Sequence, residues 1–292
     1  MATAEPWYER SRELVARDGA RWLLTVLSPA RPRAALLWIP ALGVAARSYR
    51  RFAEALAEQG VAVALHEWRG IGSSSVRASR DCDWSYAPLL LDDLPCARAA
   101  LREIAPQVPL FIGGHSLGGQ FAALGTALDP ANVDGLVLIA AGLPHPPHFP
   151  QPMRTGMRLA FTLLPALAGM LGFLPGRQLG FAGRESRGVI RDWVWSGRHG
   201  GYRLPGLPEN IEQRLRAVQL PVFAMHFAHD AFGPERALHA LLGKLGAACE
   251  REIHGLDSPQ LGTHADHFSW MKQPDGVAHR LGRWARAERQ TD

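Results

Sequence analysis

The sequence predicts an α/β protein built on a mostly parallel sheet. Short apolar runs alternate with amphipathic stretches through the first half, and the same alternation returns after residue 216. Between the two blocks, residues 143–215 break the pattern with prolines, glycines and one long apolar stretch. A chain of 292 residues, 47% hydrophobic and 20% charged, can bury a sizeable core. With no internal repeat and no low-complexity linker, one domain in two parts, 1–142 and 216–292, is expected to carry 143–215 as an inserted cap.

Taken in order, Met1–Asp18 is charged and polar and lacks the apolar core of a signal peptide, which points away from secretion. Arg21–Ser28 and Arg33–Ile39 read as strands split by the turn residues Ser28–Pro32. Tyr49–Gln59 reads as an amphipathic helix ended by Gly60, and Val61–Leu65 as a strand buried on both faces. Pro88–Ala105 is helical, Pro109–Gly113 a strand, Leu117–Leu128 a helix and Val133–Ala140 a buried strand. Leu159–Leu174 is apolar but is interrupted by Pro165, Gly169 and Gly172 and is shorter than the ~20 residues that cross a bilayer. It predicts a pair of short helices and no membrane span. Pro221–Phe227 and Cys249–His254 then read as strands, Pro234–Leu245 and Val277–Ala287 as helices.

The formal charge of +5 does not by itself indicate a polyanionic partner. Only Lys244 and Lys272 are lysines, and the arginines are scattered without a run of five or six, so no nucleic-acid partner is expected. Cys82, Cys96 and Cys249 cannot all pair within the chain, and none has C-x-x-C or Cys/His ligand spacing. A reducing cytoplasm and the absence of a metal site are the expectation. Nothing in the sequence specifies an oligomeric state.

Gly114-His115-Ser116-Leu117-Gly118 matches G-x-S-x-G, a sharp strand-to-helix turn that exposes a serine oxygen. With 13 serines and 30 glycines, chance would give such a match about 0.14 times in a chain of this composition. Context raises it, because an apolar strand precedes the motif and a helix follows, placing backbone N–H groups beside Ser116. A serine hydroxyl needs a base, normally a histidine oriented by a carboxylate, in chain order Ser, Asp or Glu, His. Asp230 lies just past the strand Pro221–Phe227, and His267 lies between the last strand and the last helix. His264 in the same loop and His254 at the end of the strand are rivals; His267 is preferred because Phe268 and Trp270 can anchor its loop in the core.

These features, with Gly114–Gly119 as Gly-His-Ser-Leu-Gly-Gly and Glu67–Gly72 as Glu-Trp-Arg-Gly-Ile-Gly, give a chain that resembles the α/β-hydrolase superfamily over almost its whole length. It looks most like bacterial hydrolases of the serine-aminopeptidase-like and monoacylglycerol-lipase-like branch, in which a cap follows the sixth strand. Asp192-Trp193 and His267-Phe268-Ser269-Trp270 are similar to patterns in that group. The resemblance implies an α/β-hydrolase fold and a cofactor-free serine hydrolase: Ser116 as nucleophile, His267 as base and acid, Asp230 as orienter. It implies an oxyanion hole of backbone N–H groups, assigned here to Leu42 and Leu117 although Pro40-Ala41-Leu42-Gly43 stands where many relatives carry His-Gly. Glu67 replaces a usual aspartate in a turn that is structural in relatives.

The expected substrate is a small acyl compound, an ester or thioester, held under the cap by Phe161, Leu164, Phe173 and Trp193. Acyl transfer or peptide hydrolysis by the same triad, and a non-catalytic protein binding an apolar ligand, remain open.

Overall fold

Every side chain of Val61-Ala-Val-Ala-Leu65 is buried. A strand like this needs neighbours on both edges and cover on both faces, which the middle of a parallel sheet supplies. The computed structural model describes residues 6–287 and places that strand in an eight-stranded sheet. The strands are β1 (Trp7–Val15), β2 (Arg21–Pro29), β3 (Ala34–Ile39), β4 (Val61–Leu65), β5 (Leu110–His115), β6 (Gly135–Ile139), β9 (Val222–Phe227) and β10 (Arg251–Leu256), with β7 (Phe173–Pro175) and β8 (Arg184–Ser186) forming a separate hairpin. The order across the sheet is β1-β2-β4-β3-β5-β6-β9-β10. From β4 to β10 all pairs are parallel; only β1·β2 and β2·β4 are antiparallel.

Helices cover both faces. On one, α1 (Arg50–Ala57) and α10 (Asp275–Arg286) bury Phe52, Leu56, Val277 and Leu281 against Leu36, Trp38 and Phe223. On the other, α3 (Leu94–Ile104), α4 (Leu117–Leu128), α7 (Ile211–Ala217) and α8 (Glu235–Leu242) bury Leu101, Phe121, Leu215 and Leu241 against Leu37, Ile112 and Leu138. A short helix α2 (Tyr86–Pro88) and a π-helical turn, Leu89–Asp93, lead into α3, and α9 (Ser258–Leu261) follows β10. This is the α/β-hydrolase fold the sequence predicts.

Two elements differ from expectation. The polar start holds a strand: β1 pairs along its length with β2, from Trp7 opposite Pro29 to Val15 opposite Arg21. Residues 9–13 of this edge strand are exposed on both faces, so it is held by its backbone ladder and its polar sequence carries no apolar signal. The apolar stretch is not a pair of short helices but one, α5 (Met153–Leu171), with Pro165 inside it. A proline in a helix leaves the carbonyl four residues earlier without its usual donor. Here that carbonyl belongs to Phe161, and the Arg198 guanidinium donates to it at 2.6 Å. Gly172, in the left-handed conformation at φ 86°, ends the helix. Among the described residues no helix is long and apolar enough to cross a membrane.

The segment between β6 and β9 also contains α6 (Arg187–His199), and several bonds tie it to the stretch of chain between β4 and α3. The Asp192 carboxylate, almost fully buried, accepts the Tyr86 N–H at 3.0 Å, and the Ser186 hydroxyl donates to the Trp84 carbonyl at 2.7 Å. The turn between β7 and β8 leans on the loop after β3 so closely that a Cβ on Gly43 would lie 2.2 Å from the Gly183 nitrogen.

Candidate active site

The site is built at the carboxyl ends of β5, β9 and β10. Ser116 joins β5 to α4 with φ 57° and ψ −119°, a conformation that costs a non-glycine residue on the order of 1–3 kcal/mol. The turn is tight enough that a Cβ on Gly118 would sit 2.1 Å from the Ile39 carbonyl oxygen. The strain lifts Ser116 out of the β5 line and sets it at the amino end of α4.

Beside it the loop after β3 is held from three directions. Trp68 Nε1 donates to the Pro40 and Ala41 carbonyls, both at 3.1 Å, and the Ala41 N–H donates to Tyr49 Oη at 3.0 Å. Tyr49 Oη lies 2.7 Å from His115 Nδ1. Burial, and then the neighbouring His267, push the His115 imidazole well below its usual range, so it is neutral and its Nδ1 can accept the phenol proton. The Glu67 carboxylate accepts the N–H groups of Ala46 at 2.9 Å and Ser73 at 3.3 Å, joining this loop to the turn after β4. Neither the Leu42 nor the Leu117 N–H is engaged by another backbone group among the described residues, and both residues line the same cavity as Ser116.

Asp230 follows β9. Its Oδ1 accepts the N–H groups of Phe232 and Gly233, both at 2.8 Å, and its carboxylate meets His267 Nδ1 at 2.7 and 2.9 Å. Both residues are buried. His264 lies on the surface, its side chain 64% exposed and 3.1 Å from Asp266. Trp270 is fully buried against Trp38, Tyr49 and Phe52, as an anchor should be. Phe268 is 43% exposed and lines the cavity instead of anchoring the loop. The anchor the sequence reading missed is Asp266, whose carboxylate takes the N–H groups of Phe268 at 2.8 Å and Ser269 at 2.7 Å. Against the cost of partial burial, these bonds and that of the Ser269 hydroxyl hold it down to about 2. An aspartate two and three residues before those N–H groups is the local signal that would have shown it.

Ser116 and His267 face one cavity of about 480 Å³, with no direct hydrogen bond between them among the described residues. Leu164 and Trp193 line this cavity, as do Phe149, Met153, Met157 and Phe181, which the sequence did not single out. Phe161 and Phe173 do not line it. On α5, Met157, Ala160 and Leu164 face the cavity, while Phe161 points toward α6 and meets Trp193 edge-on at 5.0 Å between ring centroids. Phe173 lies in β7, where the Arg184 guanidinium covers its ring at 3.6 Å. The polar side chains of the lining are Ser116, Gln120 and His267; none of its residues is Asp, Glu, Lys or Arg.

No curated protein sequence matches this one. Among solved structures, the chain is similar to the esterase domain of a Rhodothermus marinus protein, at 19% identity over 96% of this chain and 98% of that one, with a TM-score of 0.63. It is similar to the metagenome-derived lipolytic enzymes LipS and LipT at 18% identity, 98% coverage of each chain and a TM-score of 0.60. A thermophilic esterase from Thermogutta terrifontis shares 15% identity over 95% of this chain and 98% of that one, with a TM-score of 0.60. At these identities the likeness is one of fold. The family model of Hydrolase_4, described as serine aminopeptidase, S33, matches residues 30–191, more than half the chain. The chain therefore belongs to this family of α/β hydrolases, the branch to which its elbow and loop motifs point.

Proposed function

We propose that this hydrolase cleaves a carboxylic ester or thioester through an acyl-enzyme. Ser116 attacks the acyl carbonyl, and His267 takes its proton and returns it to the leaving group. Asp230 holds the imidazole and stabilises its charged form, and the N–H groups of Leu42 and Leu117 receive the oxyanion. The observation that carries this reading is the buried His267–Asp230 pair at 2.7 Å, on the same cavity as a serine at φ 57°.

The lining favours an ester over the N-terminus of a peptide. A free α-ammonium group inside a cavity without a carboxylate would lose its hydration with no counter-ion, whereas an acyl chain matches Met157, Leu164, Phe181 and Trp193. The residues 143–215 then act as a cap, with Leu164 and Trp193 contacting the chain and Phe161 supporting Trp193 from behind. A fluorophosphonate probe tests the centre: it should label the protein and fail to label Ser116→Ala. Esters of increasing chain length, assayed beside aminoacyl amides, test the substrate class; faster turnover of the amides would overturn the ester reading.

A further inference from the structure

The insert carries two imbalances that the catalytic reading does not use. The first is charge. Residues 143–191 contain six arginines, at 154, 158, 177, 184, 187 and 191, against one acidic residue, Glu185, which is buried. That excess equals the formal +5 of the whole chain, so the remainder is balanced. Two of the six are ion-paired, Arg187 with Asp83 and Arg191 with Asp192, which leaves Arg154, Arg158, Arg177 and Arg184 as the excess on this segment.

The second is an unpartnered apolar ridge on α5. Phe161 and Ala168 are buried, and Met157 lines the cavity beside them. Leu159, Leu163 and Met170, 59%, 55% and 64% exposed, recur at helical spacing on the opposite side, and α5 holds no acidic residue. The ridge runs to the cavity at Gly156, which is exposed and lines it. Guanidinium groups lie beside the ridge and beyond its end: Arg158 is exposed on α5, Arg80 donates to the Met170 carbonyl, and Arg177 and Arg184 are exposed in the hairpin segment that follows. Of the nearby acids, Asp81 follows Arg80 in sequence, Asp83 is 3.6 Å from Arg187, and the buried Asp192 is 2.9 Å from Arg191.

We propose that this face docks on an anionic lipid bilayer. Leu159, Leu163 and Met170 enter the headgroup–acyl boundary, with the helix in the plane of the surface and the arginines among the phosphates. The Gly156 side of the cavity then meets the lipid, the source of an apolar acyl compound. A second copy fits less well, because two such faces would bring like charges together. Nucleic acid would satisfy the arginines but would have no use for the ridge.

The test is co-sedimentation of the full chain with vesicles of phosphatidylcholine alone, or with about a third phosphatidylglycerol. Partition onto the anionic vesicles should be roughly tenfold stronger or more, and should fall sharply in about 0.5 M salt. Two variants, Leu159→Ser/Leu163→Ser/Met170→Ser and Arg158→Glu/Arg177→Glu, should each lower it about tenfold while leaving the melting temperature and fluorophosphonate labelling unchanged. No partition to either vesicle, or equal partition to both, would overturn the proposal. So would unchanged partition of the Leu/Met variant, which would reduce the arginines to a general polyanion site, or a dimer that this variant dissolves, which would make the ridge a self-interface. Because partition is the readout, the outcome is separate from that of the ester-hydrolase reading.

Discussion

The carboxyl end of the sheet and residues 143–215, on two sides of the cavity, are held by different forces. At the carboxyl end of the sheet, polar groups are positioned by short, directional bonds. Asp230 accepts two backbone N–H groups and meets His267, Trp68 clamps the loop after β3, and Ser116 is kept in a strained conformation by backbone packed too tightly for a side chain at Gly118. In residues 143–215, α5 and α6 meet through Phe161, Leu164, Leu167 and Trp193, and the outer side of α5 is left open. Directional bonds fix atoms to tenths of an ångström, whereas apolar contact fixes a volume and tolerates rearrangement. The first region suits chemistry and the second suits choice among substrates. Substitutions in the first should therefore change turnover with little effect on binding, and substitutions in the second the reverse.

The largest effect is expected at Ser116. Ser116→Ala should lower turnover of a model ester by roughly 10⁴–10⁶-fold, with melting within a degree or two of wild type, because groups that act as a unit fail together. More than a tenth of wild-type activity would break the comparison at its strongest point. Next come the two histidines of one loop. His267→Ala should lose turnover on the order of 10⁴-fold, while His264→Ala stays within about threefold. If the losses are reversed, the Asp230 contact is structural.

In the insert the effects should divide by side chain. Phe161→Ala leaves a cavity between α5 and α6 and should cost about 3–5 kcal/mol of stability, read by denaturant melting. Leu164→Ser, at a half-buried position, should cost less stability than Phe161→Ala and raise KM for an octanoate ester by about tenfold, with less than threefold effect on an acetate ester. Equal effects on both chain lengths would mean that Leu164 only packs.

A smaller effect, on stability alone, is expected at the seam between the regions. Glu185 is buried, accepts the Gly183 N–H at 2.8 Å, and burial raises it from 4.5 to about 7. Between those values the folded chain keeps a proton that the unfolded chain has released, so stability is present below about 4.5 and declines as pH rises through about 7. Glu185→Gln keeps the hydrogen bond without the charge. It should be more stable than wild type at pH 8, by up to roughly 3 kcal/mol, and should show no such decline. Parallel stability curves for the two proteins would place the charge in contact with water.

How much could be read without the structure follows the range of each interaction. The strand–helix alternation, the elbow and the Asp230 and His267 loops are written in runs of neighbouring residues, because burial on both faces demands Val61–Leu65 and a crowded turn demands Gly114 and Gly118. The partner of β1, the unbroken course of α5 and the facing of its side chains depend on residues far away in sequence. Pro165 predicts a break until Arg198 supplies a donor to the Phe161 carbonyl. Phe161 and Leu164 are equally apolar in the sequence, yet their angular positions on one helix send the first toward Trp193 on α6 and leave the second on the cavity. The arginine excess of residues 143–191 likewise emerges when charges are weighed segment by segment against which of them are paired or buried. Local patterns record whether a residue will be covered; only the packed chain decides what covers it.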